Sequence, residues 1–181
     1  MALTALSEAM ATILGSCTMT PDSEEVSLDQ ALSRFCAQSV SAGMAVPPAD
    51  NSAMDGYAVC SRDVPAVLTV SQRIPAGSVS QPLEKGTAAR IFTGAEMPVG
   101  ADAVVLQEDT EETDHGIRLP AAQVGQHIRR RGNDIQPEDQ LIAAGQFLRP
   151  QDIGLLASVG INRIAVFRPL TVAIVTTGDE L

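Results

Sequence analysis

The stretch AVPPADNSAMDGYAV, Ala45 to Val59, divides two kinds of sequence. Pro47 and Pro48 each fix their own backbone and push the preceding residue toward extended geometry, so no helix crosses them. Upstream, apolar residues recur at helical spacing; downstream, they fall into short runs between glycines and prolines. The stretch itself is chemically dense, with Asp50, Asn51, Ser52, Asp55, Gly56 and Tyr57, the chain's only tyrosine. Asp-Gly flanked by apolar residues is a hairpin-turn signal, because that turn needs positive φ at both central positions. The same carboxylate, on a rigid loop beside backbone amides, can instead reach a metal or a substrate amine. Spacing alone leaves both readings open for Asp55.

Working outward, Leu3, Leu6, Met10, Ile13 and Leu14 predict a helix over residues 3–14, with Gly15 as its stop. Ser27 followed by Gln30 reads as a capping box opening a second helix, whose apolar face is Leu28, Ala31, Leu32 and Phe35. Beyond the prolines, the runs AVLTV, AARIF, ADAVVLQ and HGIRL lie between Gly and Pro punctuation and predict short strands of a barrel or sandwich. RPQDIGLLASVG predicts a helix with Pro150 near its start, Leu155, Leu156 and Val159 inward and Gly160 as cap. INRIAVF predicts a strand, and Val172 to Val175 a buried strand entering a glycine turn.

The fold class expected is therefore multidomain α+β. A β-rich domain over residues 47–142, barrel- or sandwich-like, is inserted in a mixed α/β linker domain made of residues 1–46 and 143–169. Residues 170–181 would be the first strand of a truncated α/β domain, because a fully apolar strand needs partners that no following sequence supplies.

Composition narrows the function. Apolar residues make up 45%, which supports a packed core. Twelve basic against 22 acidic residues give a formal net charge of −10, and aromatics are only 3%. A chain so acidic and so poor in stacking rings is not built to grip nucleic acid. Cys17, Cys36 and Cys60 have no C-x-x-C spacing and read as reduced cytoplasmic thiols. No signal peptide and no membrane-length apolar run is expected. A local positive cluster would be needed to catch any anion.

Three further stretches carry candidate chemistry. IFTGAEMPVGADAVV puts Thr93 and Gly94 just after a strand, where a hydroxyl and a glycine amide can meet phosphate or simply form a strand connection. IRRRGNDI holds Arg129, Arg130 and Arg131, the densest positive patch. In a strand, Arg129 and Arg131 would share one face and Arg130 take the other; the cluster is either an anion contact or a solvated edge. VTTGDEL places Asp179 and Glu180 at the carboxyl end of the last strand, where open α/β sheets bind ligands and where two acids can hold Mg²⁺. The same acids equally suit a helix N-terminus. His115 and His127 form no triad with any serine and acid.

Together, PPADNSAMDGYAV, RIFTGAEMPVGADAVV, IRRRGNDI and VAIVTTGDEL, in this order, resemble the molybdopterin molybdenumtransferase family, bacterial MoeA and the gephyrin E domain. The resemblance runs from about Ser27 to Leu181, and Ala49 departs from it where the family usually has Phe. It implies an N-terminal part of a transferase that inserts molybdate into adenylylated molybdopterin with Mg²⁺ and releases AMP, the fragment alone being inactive. By the same resemblance Asp55, Thr93 and Glu180 are catalytic, and Asp55, Thr93 and Gly94 contact the cofactor. Asp179 and Glu180 hold the metal. Arg129, Arg130 and Arg131 are added as an anion contact on their charge. A homodimer with its site in a cleft between subunits, and a molybdopterin adenylyltransferase as protein partner, follow from the resemblance as well. A non-catalytic scaffold of the same fold is the alternative, as gephyrin's receptor-clustering role illustrates.

Overall fold

The structure, a computed structural model, describes residues 4–17, 19–174 and 176. In chain order, the first elements are α1 (Leu6–Ser16), β1 (Ser23–Ser27), α2 (Leu28–Ala31), β2 (Val40–Ser41) and β3 (Asn51–Ser52). Then come β4 (Gly56–Val59), β5 (Ala66–Ile74), β6 (Thr87–Ile91), β7 (Ala103–Leu106), β8 (Glu111–Thr113) and β9 (Gly116–Leu119). The last are β10 (Ile128–Arg129), β11 (Gln140–Ile142), α3 (Pro150–Ser158) and β12 (Arg163–Phe167). They form two compact units, residues Ser41–Asp139 and the flanking segments Met1–Val40 with Gln140–Leu181.

In the flanking unit, β12 forms as its apolar run predicts and pairs antiparallel with β1, from Ser23 opposite Phe167 to Ser27 opposite Arg163. The helix expected from the Ser27 capping box is far shorter than its apolar face suggested. It ends at Ala31, and Ser27 makes no side-chain cap bond. Ser33 turns into the left-handed region at φ 62 and donates its N–H to Leu148 O at 3.0 Å. Cys36 N–H bonds Gln146 O at 2.9 Å, and Phe167 N–H bonds Phe35 O at 2.9 Å. Residues 33–36 thus bond to distant backbone, and those bonds replace the i to i−4 ladder of a helix. Val26, Ala31, Cys36, Ile142, Leu148, Leu156, Ile164 and Val166 make the core of this unit. Burial raises the Cys36 thiol above its ordinary value, and all three cysteines are free.

α1 runs past Gly15 to Ser16 and buries none of its side chains; Leu6, Met10, Ile13 and Leu14 are exposed. α3 starts at Pro150 as expected and buries Leu156, with Val159 just beyond its end. Its first turn is closed by Asp152, only 6% exposed, which accepts the Arg149 N–H at 2.9 Å and pairs with the Arg149 Nε at 3.0 Å. Those contacts, the Arg149 guanidinium first, hold the Asp152 carboxyl below the usual carboxylate range. A group lowered in the folded state stabilises above its unfolded value and loses that contribution as pH falls through the folded value. Asp152→Ala is expected to cost about 1–2 kcal/mol near neutral pH, the size of a lost cap plus a charged hydrogen bond. Urea unfolding at falling pH should show the gap to wild type closing below the ordinary carboxylate range; a gap independent of pH would contradict this.

The strand expected at Val172 to Val175 is not formed over its described part. Thr171–Ile174 is irregular and exposed, with Val172 at 76% and Ile174 at 86%, because no strand among the described residues lies beside it to bond its amides. Val175 lies outside the described residues.

The second unit is built on one six-stranded sheet, in the order β7-β4-β6-β5-β9-β8, curled into a half-barrel. The strands expected from AVLTV, AARIF, ADAVVLQ and HGIRL all form within it. β5 and β6 run parallel, joined by residues 75–86, about the dozen that a parallel crossover requires. Their register slips between Val70 and Gln72, a bulge that adds twist. One face packs Tyr57, Val59, Leu68, Val105, Ile117 and Leu119, and the other packs Ala58, Ile74, Ile91 and Val104 against Ala95. Burial on both faces explains why β4 and β7 carry almost continuous apolar residues.

Candidate functional site

The site is laid out around the short strand β3. On one side it pairs with β10, Asn51 opposite Arg129 and Ser52 opposite Ile128. On the other it bonds the loop after β6: Ser52 N–H to Ala95 O, Gly94 N–H to Ser52 O and Met97 N–H to Asp50 O, each 2.9 Å. Two aspartates flank this strand, Asp50 before it and Asp55 after it.

Asp55 does not sit in a hairpin turn. β3 pairs with β10, while β4 pairs with β6 and β7, so the two strands flanking Asp55 are not partners. Gly56 is the first residue of β4 and lies outside the left-handed region. It is glycine because a Cβ would run into the Val105 carbonyl of β7. The turn reading is thereby replaced: the Asp-Gly pair marks a close strand approach.

The half-buried Asp55 carboxylate is held by Thr93, which donates both its backbone N–H and its hydroxyl to Oδ1 at 2.8 Å. The Thr93 N–H first and its hydroxyl second keep the carboxyl below its ordinary range, with the Arg90 charge adding to the effect. Asp55 is therefore a carboxylate at neutral pH. Its Oδ2 accepts no hydrogen bond among the described residues, and is left available to an incoming donor. Gly94, at φ +83, makes the turn that brings Thr93 to Asp55, and only glycine adopts that backbone without strain. Its amide is committed to Ser52 O, so a phosphate contact at Gly94 would have to displace an internal bond.

Behind this pair stands Arg90, which the sequence reading missed. Its Nη1 donates to Gly56 O at 2.8 Å and Ile91 O at 3.1 Å, and its Nη2 to the Gln107 side chain. Its guanidinium lies over the Tyr57 ring at 5.3 Å and the Phe92 ring at 4.5 Å. Gln107 N–H closes the group on Asp55 O at 3.2 Å. One signal was available: Arg90 is the sole charge in the otherwise apolar run AARIF.

The arginine triplet lies at the other end of β3. β10 stops at Arg129, so strand alternation does not set the directions of the next two. Arg129 pairs with Asp134. Arg130 Nη1 reaches Asp50 Oδ2 at 2.6 Å, the Arg131 N–H reaches Asp50 Oδ1 at 2.8 Å, and Arg131 Nε reaches Pro48 O at 3.1 Å. The Arg131 N–H first, then Arg130, hold the Asp50 carboxyl down. Asp50 and Asp134, which the sequence reading did not single out, thus offset much of the triplet's charge. The structure brings Asp55, Thr93 and Gly94 together, and it gathers Arg130 and Arg131 on Asp50 while Arg129 turns to Asp134. Asp179 and Glu180 lie outside the described residues. Among the described residues, no three His, Cys, Asp or Glu side chains converge to hold a metal. No described helix is long and apolar enough to cross a membrane.

Residues 4–160 match the MoeA N-terminal region (domain I and II). The chain belongs to the MoeA family. It is 36% identical to the molybdopterin molybdenumtransferase of Haemophilus influenzae over 97% of its length, and 42% identical to that of a Nostoc species over 88%. Two solved structures of the molybdopterin biosynthesis MoeA protein from Pyrococcus superpose with TM-scores of 0.82 and 0.80, at 35% and 32% identity, each over 89% of this chain. The chain spans 45% and 39% of the two enzymes' lengths, and 44% and 45% of the two solved chains.

Proposed function

We propose that the protein serves molybdenum cofactor biosynthesis as the N-terminal part of a cytoplasmic molybdopterin molybdenumtransferase. The observation that carries this is its identity of 36–42% to enzymes of that name across most of its own length. The reaction inserts molybdate into adenylylated molybdopterin and releases AMP. In it, Asp55 Oδ2 accepts a hydrogen bond from a substrate N–H or O–H and so fixes the substrate's orientation. Thr93 keeps that carboxylate ionised and still, since two donors on one oxygen leave it a single direction. Arg129, Arg130 and Arg131 supply a weakened positive field for the anionic substrate, because Asp50 and Asp134 cancel part of it. Mg²⁺ would be held by Asp179 and Glu180, which lie outside the described residues, and would neutralise charge on the anhydride oxygens. A homodimer with the cleft between subunits, and delivery of substrate by a molybdopterin adenylyltransferase, complete the proposal.

The test is genetic. The full-length gene should restore molybdoenzyme activity to a strain lacking its own molybdopterin molybdenumtransferase. Normal expression of folded protein without restoration would overturn the proposal.

A further inference from the structure

Arg73 and Arg90 are direct partners across the parallel pair β5 and β6. Both guanidiniums lie 4.5 Å from the centre of the same ring, Phe92. In a chain of net charge −10, neither side chain pairs with a carboxylate among the described residues; Arg62, Lys85 and Arg131 also form no such pair, but none of these three is stacked on a ring beside a second cation. Like charges opposed across a sheet are destabilising. What sets Arg73 and Arg90 apart is that two unpaired cations stand side by side on one ring, so their fields add at one place.

The two differ in role. Arg90 is fixed by Gly56 O, Ile91 O and Gln107 and provides a stationary charge. Arg73 is exposed, makes no side-chain hydrogen bond among the described residues, and is steadied only by the Phe92 face. Its donor fork is therefore open. We propose that Arg73 and Arg90, both seated over Phe92, bind a tetrahedral oxyanion. A planar guanidinium donates two parallel N–H bonds to such an anion, and the ring holds the fork in one plane. Asp55 already takes part of the Arg90 field, so discrimination rests on Arg73. Phosphoryl groups and molybdate share this chemistry, and binding of either is independent of the transferase assignment.

The test uses the 181-residue chain at constant ionic strength, titrated separately with inorganic phosphate and with molybdate while the arginine Nε–H signals are followed by NMR. Saturable shifts at Arg73 and Arg90 are expected with at least one anion; which one saturates identifies the source. Arg73→Gln should weaken binding by about tenfold or more, a difference of about 1.4 kcal/mol. Arg73→Lys should weaken it less, and Arg118→Gln, on another strand and paired with Glu111, should leave it unchanged. Melting curves establish that each variant is folded. Absence of saturation with both anions overturns the site, as does an Arg73→Gln effect no larger than that of Arg118→Gln.

Discussion

Gly56→Ala is expected to unfold the β-rich unit or leave it barely stable. β4 lies between β6 and β7, and the added methyl meets the Val105 carbonyl oxygen, with Val105 C at 2.9 Å and Leu106 Cα at 3.2 Å. All three are backbone atoms of a strand bonded in place, so no side chain can rotate away. Parting β4 from β7 would break the pairing of Tyr57 with Val105 and Ala58 with Val104, both ends of which belong to the packed faces. We expect a loss of about 3 kcal/mol or more, at the upper end for overpacking. Gly43→Ala is the control, since nothing lies within 4 Å of the place its methyl would take; it should stay within about 0.5 kcal/mol of wild type. Urea unfolding compares the two. Equal effects would show that Gly56 is not placed by strand contact.

Arg90→Gln should cost about 2–3 kcal/mol, the combined worth of its charged hydrogen bonds and its stacking on two rings. The glutamine is too short to reach Gly56 O, Ile91 O and the Gln107 side chain at once, and it brings no cation to Tyr57 or Phe92. Arg90→Lys keeps the charge but not the fork, and should fall between. Thermal and urea unfolding measure all three proteins. If Arg90→Gln unfolds like wild type, Arg90 does not brace Asp55 and the strand ends meeting there.

Much of the β-rich unit was legible because its strands are apolar runs cut by glycine and proline, as in AVLTV and AARIF. β1 was not, since Ser-Glu-Glu-Val-Ser shows no alternation and forms only because β12 offers it a partner. The helix after Ser27 was over-read for the same reason: local capping signals say nothing about Leu148, 115 positions further on from Ser33, taking the backbone bond. At the site, Asp55, Thr93 and Gly94 stood out as residue types on turn-rich stretches. Arg73 and Arg90 did not, because a lone arginine in a strand signals nothing until register sets it beside another. Asp50 was quoted in the opening stretch, yet its role depends on Arg130 and Arg131, eighty residues away in sequence.

Thr93 holds Asp55 as an oriented carboxylate, and we propose that it serves the transferase reaction in that ionised state. Asp55→Asn tests it, since the amide oxygen still accepts the Thr93 N–H and hydroxyl while the charge is gone. The deciding measurement is AMP release from adenylylated molybdopterin and molybdate by the full-length protein, wild type against Asp55→Asn, alongside their melting temperatures. A fall of about tenfold or more in rate is expected, with the melting temperature unchanged. An unchanged rate, or a fall matched by lost stability, would contradict it.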